Sequence, residues 1–143
     1  MSNENKYFKV TNINPKHRIT QDCVIRAISL FLNQDYYKTL HDLIEVYLDT
    51  GFHIADPVCF MIYLQSIDNL VKTDITENPF TLGAMCENLH ERKFEAFPNI
   101  NEHNYHKILV LLGNTHLTYL ENGVILDTDN YSTRTVSVYY TLQ

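Results

Sequence analysis

The feature that most restricts the fold is the pair Asn122-Gly123, which lies between two short runs rich in apolar residues. A two-residue hairpin turn of type I′ needs positive φ at both central positions, and Asn followed by Gly adopts it most readily. Residues 117–121 and 124–127 are therefore predicted to form a β-hairpin. Residues 107–112 form an apolar run and residues 133–142 are rich in β-branched side chains and Tyr, so both are further predicted strands.

The earlier part of the chain carries the start and stop signals of helices. Residues 22–32 are apolar on nearly every face, and Thr20 and Asp22 both offer capping oxygens at their beginning. Such a helix is expected in the middle of the domain. A second helix is predicted to begin after Asp35 and to stop at Gly51. Its predicted buried side consists of Tyr36, Leu40, Leu43, Ile44, Tyr47 and Leu48.

Two more helices are predicted before the strands begin. Asp56-Pro57 is a strong helix start, and the apolar spacing continues through Ile67 to Val71. A weaker pattern extends from Thr81 to about Arg92. Residues 1–19 are expected to form an arm over the core, with one short strand-like piece at residues 7–10. Helices followed by an antiparallel sheet predict one α+β domain over residues 1–143.

Charge and composition exclude several partners. The chain has 11 Lys and Arg against 17 Asp and Glu, a formal charge of -6, so it lacks the positive excess that binds nucleic acid. Its first residues are polar and no run approaches 18 apolar residues, so we expect a cytoplasmic protein without membrane insertion. Three widely spaced cysteines indicate free thiols in a reducing compartment. Abundant Asn and Tyr with no Trp suit a low-GC bacterium or its phage.

The predicted hairpin aligns one histidine with two carboxylates. Across a two-residue turn, Thr118 faces Asp127 and His116 faces Asp129, and all four side chains project to the same side of the sheet. Asp129 is then directly opposite the imidazole, and Asp127 lies on the diagonal within reach. Either carboxylate is expected to hold the Nδ1 proton of His116 and leave Nε2 free as a base.

Cys23 is the predicted nucleophile for this base. It lies where the first helix begins, and the unpaired amides and dipole of a helix N-terminus favour thiolate over thiol. Cys59 and Cys86 occupy positions inside predicted helices and are expected to be core residues. The residues together predict a Cys-His-Asp site assembled from a helix start and a sheet.

Two segments resemble papain-like cysteine peptidases, chiefly bacterial C39-type peptidases and small phage proteins. They are Gln21-Asp-Cys-Val-Ile-Arg-Ala-Ile-Ser and Thr115-His-Leu-Thr-Tyr-Leu-Glu-Asn-Gly-Val-Ile-Leu-Asp-Thr. The resemblance covers both ends of the chain but little of residues 36–106. It implies a papain-like cysteine peptidase fold, in which N-terminal helices pack on a C-terminal antiparallel sheet. It also implies that Cys23 is the nucleophile, His116 the general base and Asp127 the residue that orients the base.

The oxyanion-binding residue departs from the papain-like pattern. Those enzymes usually place a Gln about six positions before the nucleophile, where this chain has His17. Gln21 lies only two positions before Cys23. We therefore expect the Cys23 amide to supply one donor to the oxyanion and either Gln21 or His17 to supply the other.

The resemblance implies a small thiol hydrolase that cleaves a peptide, isopeptide or amide bond in a protein or peptide substrate without a cofactor. The alternative is a non-catalytic phage or bacterial protein of the same fold that binds and inhibits a host or defence protein in the host cytoplasm. Geometry distinguishes the two functions. A Cys23 sulfur that is open to solvent and within reach of His116 favours the enzyme, whereas a sealed Cys23 favours the binding protein.

Other polar residues have several interpretations. Arg26 follows Cys23 by one helical turn, and it is expected to brace Asp127 and Asp129, to bind a substrate carboxylate, or to form a structural ion pair. His103 and His106 are spaced like two metal ligands, but no third ligand is near them in the sequence. We therefore predict no metal site.

Overall fold

The computed structural model describes residues 6–18 and 21–143. Within them the protein has four helices and a seven-stranded sheet, which confirms the α+β part of the predicted fold. None of these helices is long and apolar enough to cross a lipid bilayer. The elements are β1 (Phe8–Val10), α1 (Cys23–Leu32), α2 (Tyr36–Thr50), α3 (Pro57–Gln65), β2 (Leu70–Asp74), β3 (Phe80–Thr81), α4 (Leu82–His90), β4 (Lys107–Leu112), β5 (His116–Glu121), β6 (Val124–Asp127) and β7 (Thr135–Leu142).

Three helices begin at the capping residues that the sequence predicts. The side chains of Asp35, Asp56 and Thr81 each accept a hydrogen bond from an amide in the first turn of α2, α3 and α4. α2 ends at Gly51, which takes up φ +82°, a value that Gly adopts without strain. Thr20, the other capping residue predicted for α1, lies outside the described residues.

The predicted buried face of α2 is too wide. Leu43 is buried, but Tyr47 and Leu48 are 38% and 73% exposed. The reason is that α2 packs mainly on α1 and α3 as an outer helix, so it buries only a narrow stripe.

The predicted third helix is too long. α3 ends at Gln65, and Val71 lies in β2, where it pairs with Thr141 of β7. Asn69, at φ +64°, is in the left-handed region just before the strand and separates it from the helical segment. Local apolar spacing predicted a helix here, but pairing with β7 determines the structure.

The C-terminal strands agree with the sequence prediction. In the sheet the order is β1-β6-β5-β4-β7-β2, with β3 also paired to β7. Asn122 and Gly123 both have positive φ, at 52° and 76°, and Glu121 pairs with Val124 as a two-residue turn requires. The hairpin that carries His116 is therefore correctly predicted in both turn and register.

The N-terminal segment is not an arm over the core. β1 joins the edge of the sheet parallel to β6, with Val10 opposite Asp127. The sheet is thus antiparallel except for this pair, which corrects the prediction of a wholly antiparallel sheet. A parallel pair needs a long crossover connection, and the helices between β1 and β6 provide it.

Helical structure covers both faces of the sheet. Along β4, Leu109 and Leu111 face the cluster formed with α1, α2 and α3, whereas Val110 faces the cluster formed with α4. Alternate side chains of a strand point to opposite faces, so a continuous apolar strand needs cover on both sides. Cys59 lies in the first cluster and Cys86 in the second, both fully buried as predicted.

Candidate active site

Three neighbouring elements bring the predicted site residues together. Cys23 is the first residue of α1, and α1 packs across β5. His116 is the first residue of β5, and Asp127 is the last residue of the adjacent β6. The start of one helix and the ends of two paired strands therefore meet at one point.

The imidazole of His116 bridges Cys23 and Asp127. Its Nε2 lies 2.8 Å from Asp127 Oδ2, and the ring also interacts with the Cys23 thiol and lowers the pKa of that thiol. Because Nε2 is taken by the carboxylate, Nδ1 is the nitrogen left for the sulfur. The roles expected of these two nitrogens from the sequence were wrong, because they are reversed in the structure. Asp127 lies diagonally across the hairpin from His116, so the outer ring nitrogen is the one that reaches it.

Asp127, rather than Asp129, orients the histidine. The carboxylate of Asp127 is buried, and its Oδ2 also accepts a hydrogen bond from Thr118 Oγ1 at 2.7 Å. Its Oδ1 accepts from the Thr128 amide at 2.7 Å and from Arg26 Nη1 at 3.0 Å. Asp129 is exposed beyond the end of β6, where no strand pairing holds it opposite the imidazole.

Arg26 is an ion-pair residue between two carboxylates. Its guanidinium is buried and contacts Asp22 through Nε at 2.8 Å and Asp127 through Nη1 at 3.0 Å. Among the three roles expected for Arg26, this geometry is the structural ion pair that also braces Asp127. Both of these guanidinium nitrogens point at protein carboxylates, which does not suit direct binding of a substrate carboxylate.

The thiol of Cys23 is activated relative to the other two cysteines. Burial alone would raise the pKa of Cys23, but hydrogen bonds from His116 and the Leu117 amide, and the positive charges nearby, lower the pKa below its usual value. Burial without such partners raises the pKa of Cys59, and raises that of Cys86 to about 12. Cys23 is therefore the cysteine whose surroundings favour the nucleophilic thiolate.

His116 and Asp127 complete the charge pattern. Burial opposes protonation of His116, yet hydrogen bonds to Asp127 and Cys23 raise its pKa to about 9. Burial likewise opposes ionisation of Asp127, but hydrogen bonds from His116 and Thr118 keep the pKa of the carboxyl below its usual value. All three shifts therefore act in the same direction, favouring a thiolate at Cys23, an imidazolium at His116 and a carboxylate at Asp127.

The rate at which iodoacetamide alkylates native Cys23 is expected to rise with pH at a lower midpoint than the rate in the unfolded chain. The pKa of Cys23 is lowered by its contacts with His116 and the Leu117 amide, so the thiolate persists to lower pH in the native protein than in the unfolded chain. The pKa of His116 is raised, so its imidazolium persists until pH rises through about 9. Stopped alkylation with mass mapping gives the profile, and the guanidinium-unfolded chain is the control. A native profile with one step near the ordinary thiol pKa would contradict this assignment.

Cys23 is half-buried and lines a surface cleft of about 540 Å³. Gln21 lies on its wall, whereas His17 is exposed on the turn that begins at Asn14 and does not line the cleft. Gln21 is thus the better placed of the two predicted oxyanion residues. The remaining lining residues are Asp22, Cys23, Val24, Ile25, Arg26, His53, Ile54, Ala55, Thr115, His116, Thr128, Asp129 and Tyr131.

The first amides of α1 are available to an oxyanion. Asp22 occupies the N-cap position, but its side chain makes no capping hydrogen bond, contrary to the prediction. The amides of Cys23 and Val24 make no hydrogen bond to any residue that the structure describes. Such amides, together with the positive end of the helix dipole, favour a negative oxygen beside Cys23.

Tyr131 is a site residue that the sequence did not predict. Its ring packs on the imidazole of His116, with centroids 4.0 Å apart and planes inclined by 31°. It covers one face of the ring whose Nε2 bonds Asp127, and so restricts water at that hydrogen bond. No sequence signal marks it, because residues 128–132 have the composition of an ordinary polar turn. Thr118, by contrast, could be identified from the sequence, since the hairpin register places its side chain on the same side of the sheet as His116.

The two histidines considered as metal ligands have another role. His106 Nδ1 lies 2.6 Å from Asn122 Oδ1, which ties the ring to the β5–β6 turn, and His103 is exposed. Over residues 6–18 and 21–143, no three His, Cys, Asp or Glu side chains are grouped in a way that would hold a metal ion.

The site therefore combines a thiol whose pKa is lowered, an imidazole held by a buried carboxylate, the first amides of α1 and a surface cleft. These are the parts needed for nucleophilic attack by sulfur on a carbonyl carbon. No protein-family model, curated protein or solved structure matches the chain.

Proposed function

We propose that the protein is a small papain-like thiol hydrolase that cleaves a peptide, isopeptide or amide bond. The observation that carries this proposal is the imidazole of His116, which interacts with the Cys23 thiol and hydrogen bonds through Nε2 to Asp127 Oδ2 at 2.8 Å. A buried structural cysteine needs neither an oriented base nor an open cleft. The proposed setting is the cytoplasm, either of a bacterium or of the host of a phage.

In the acylation step, the Cys23 thiolate attacks the carbonyl carbon of the substrate and forms a carbon–sulfur bond. The carbonyl oxygen becomes an oxyanion, for which the first amides of α1 and the Gln21 side chain are the proposed donors. The imidazolium of His116 then donates its Nδ1 proton to the leaving nitrogen as the carbon–nitrogen bond breaks. Asp127 keeps the ring aligned throughout, because Nε2 remains bonded to Oδ2.

In the deacylation step, neutral His116 takes a proton from water, and the resulting hydroxide attacks the thioester carbon. The carbon–sulfur bond breaks, the acid product leaves, and Cys23 and His116 return to the thiolate and imidazolium. Every proton in this cycle moves through His116. The proposed chemistry therefore needs no cofactor.

The alternative function, binding and inhibition of a host or defence protein, has less support. Its signature would be a sealed Cys23 with His116 turned away, whereas Cys23 is half-buried and lines the cleft. One observation does suit a protein partner. Leu48, Phe52 and Val58 expose apolar side chains next to or near residues 53–55, which line the cleft, and they equally suit a protein substrate.

The test is turnover of p-nitrophenyl acetate, an activated ester that acylates thiols. We expect a burst of about one equivalent of nitrophenolate followed by steady release, because His116 promotes both acylation and deacylation. His116→Ala is expected to slow both phases by roughly 10²–10⁴-fold. A burst in the wild-type protein with no later turnover would contradict the hydrolase and leave only a reactive thiol.

A further inference from the structure

Asp22 does not have the role that its position in the sequence predicts. It directly precedes α1, yet its side chain caps none of the α1 amides. At the corresponding positions of α2, α3 and α4, the side chains of Asp35, Asp56 and Thr81 all cap their helices. Aspartate is among the best capping residues, so its diversion at this one helix calls for another binding partner.

The Asp22 carboxylate is held by three buried or half-buried donors. Oδ1 accepts from Arg26 Nε at 2.8 Å. Oδ2 accepts from Asn14 Nδ2 and from the Tyr36 hydroxyl, each at 2.8 Å. Burial opposes its ionisation, but these three donors keep the pKa of Asp22 below its usual value. Asp22 is thus a fixed, buried negative charge rather than a mobile surface carboxylate.

Arg26 connects the fixed Asp22 carboxylate to Asp127 on the β5–β6 hairpin. Its guanidinium is planar, so an Nε anchored on Asp22 determines where Nη1 points. Nη1 points at Asp127 Oδ1, and the pair joins α1 to β6 across 101 residues of sequence. The Thr128 amide also donates to Oδ1, so both donors act on the carboxylate oxygen that His116 does not use.

We propose that Asp22 and Arg26 are positioning residues for the His116–Asp127 pair, with Asn14 and Tyr36 as the anchors of Asp22. Holding Oδ1 stops the Asp127 carboxylate from rotating and keeps Oδ2 aimed at Nε2 of His116. The catalytic importance of this positioning rests on the proposed function. Its effect on the reactivity of the Cys23 thiol does not, and can be measured separately.

The proposed role of Arg26 depends on the two separately directed nitrogens of its guanidinium, and not on its charge alone. A lysine at position 26 would keep the positive charge but would present one ammonium in place of two separately directed nitrogens. It would then hold Asp22 or Asp127 well, but not both. Asp127 would turn more freely, the imidazolium would lose stabilisation, and the thiolate–imidazolium pair would be less populated at neutral pH.

The test compares Arg26→Lys and Tyr36→Phe with the wild-type protein by iodoacetamide alkylation of Cys23. The readout is the alkylation rate near pH 6.5 divided by the rate near pH 10, which removes differences in access to the thiol. We expect the ratio to fall by about five- to tenfold in Arg26→Lys and by about twofold in Tyr36→Phe, consistent with losing one or part of one charge-assisted hydrogen bond. This experiment measures alkylation and not hydrolysis. Its result therefore tests the roles of Asp22 and Arg26 even if the protein proves not to be a hydrolase.

Tyr37→Phe and Arg92→Lys are the matched controls. Tyr37 is exposed beside Tyr36, and Arg92 is an exposed arginine on the far side of the sheet. Neither control should change the ratio, and an equal change in a control would overturn the proposal. An unchanged ratio in folded Arg26→Lys would also overturn it. If that variant does not fold, an unchanged ratio in Tyr36→Phe would overturn it instead, because Tyr36→Phe keeps the ion pairs intact.

Discussion

Replacing Cys23 by alanine is expected to abolish both turnover and the labelling of the native protein by iodoacetamide at neutral pH. Cys59 and Cys86 are fully buried and burial raises the pKa of each, so neither should replace Cys23 as the labelled thiol. We expect turnover to fall at least about a thousandfold, since only binding and the oxyanion donors remain. Intact mass measured after brief labelling, together with nitrophenolate release, gives both quantities.

The chain supplies its own controls for this experiment. Cys59→Ala and Cys86→Ala should still be labelled once per chain at the wild-type rate, and should lose roughly 1 kcal/mol of unfolding free energy because each leaves a small gap in a core cluster. Equal labelling of Cys23→Ala and the wild-type protein would contradict the assignment of Cys23 as the nucleophile.

Asp127→Asn is expected to impair both the chemistry and the stability of the protein. The amide keeps the size of the side chain but removes the charge that faces His116 and Arg26. Turnover should fall by roughly 10²–10⁴-fold, because the imidazole loses its oriented tautomer. The unfolding free energy should fall by roughly 3 kcal/mol, because Arg26 keeps only one of its two carboxylate partners in a buried place. The pKa of His116 should fall from about 9 towards its ordinary value.

Asp129→Asn is the comparison that makes this result specific. Asp129 lies two residues further on but is exposed, so we expect turnover within about twofold of wild type and stability within about 0.5 kcal/mol. Urea unfolding and NMR titration of the His116 ring supply the measurements. If Asp129→Asn impaired turnover as much as Asp127→Asn, then Asp127 would not be the sole residue that orients His116.

Local signals in the sequence predicted a large part of the structure. Asp35 and Asp56 mark helix starts and Asn122-Gly123 marks a hairpin, because a cap or a turn depends on residues only a few positions apart. The hairpin in turn brought His116 and Asp127 to one side of the sheet. Their alignment with each other was therefore predictable before any tertiary contact was known.

Contacts between distant segments were not predictable in the same way. Val71 belongs to a strand because β7 lies beside it, and β1 pairs with β6, from which it is separated by more than a hundred residues that include four helices and four strands. Tyr131 covers His116 through a turn that has no local signature. Asp22 has the local signature of a cap, but long-range contacts with Asn14 and Tyr36 outweigh it.

The span of the Arg26–Asp127 contact has a consequence for how the protein is made. The two residues are separated by 101 positions, so at ribosomal speeds roughly 5–20 s pass between their synthesis. Until His116 and Asp127 have been synthesised, Cys23 lacks both the imidazole that lowers its pKa in the folded protein and the carboxylate that holds this imidazole. We therefore expect the Cys23 thiol of a ribosome-bound chain that ends before His116 to be alkylated or acylated no faster than an ordinary thiol. The distance along the sequence thus ties the onset of reactivity to the completion of folding.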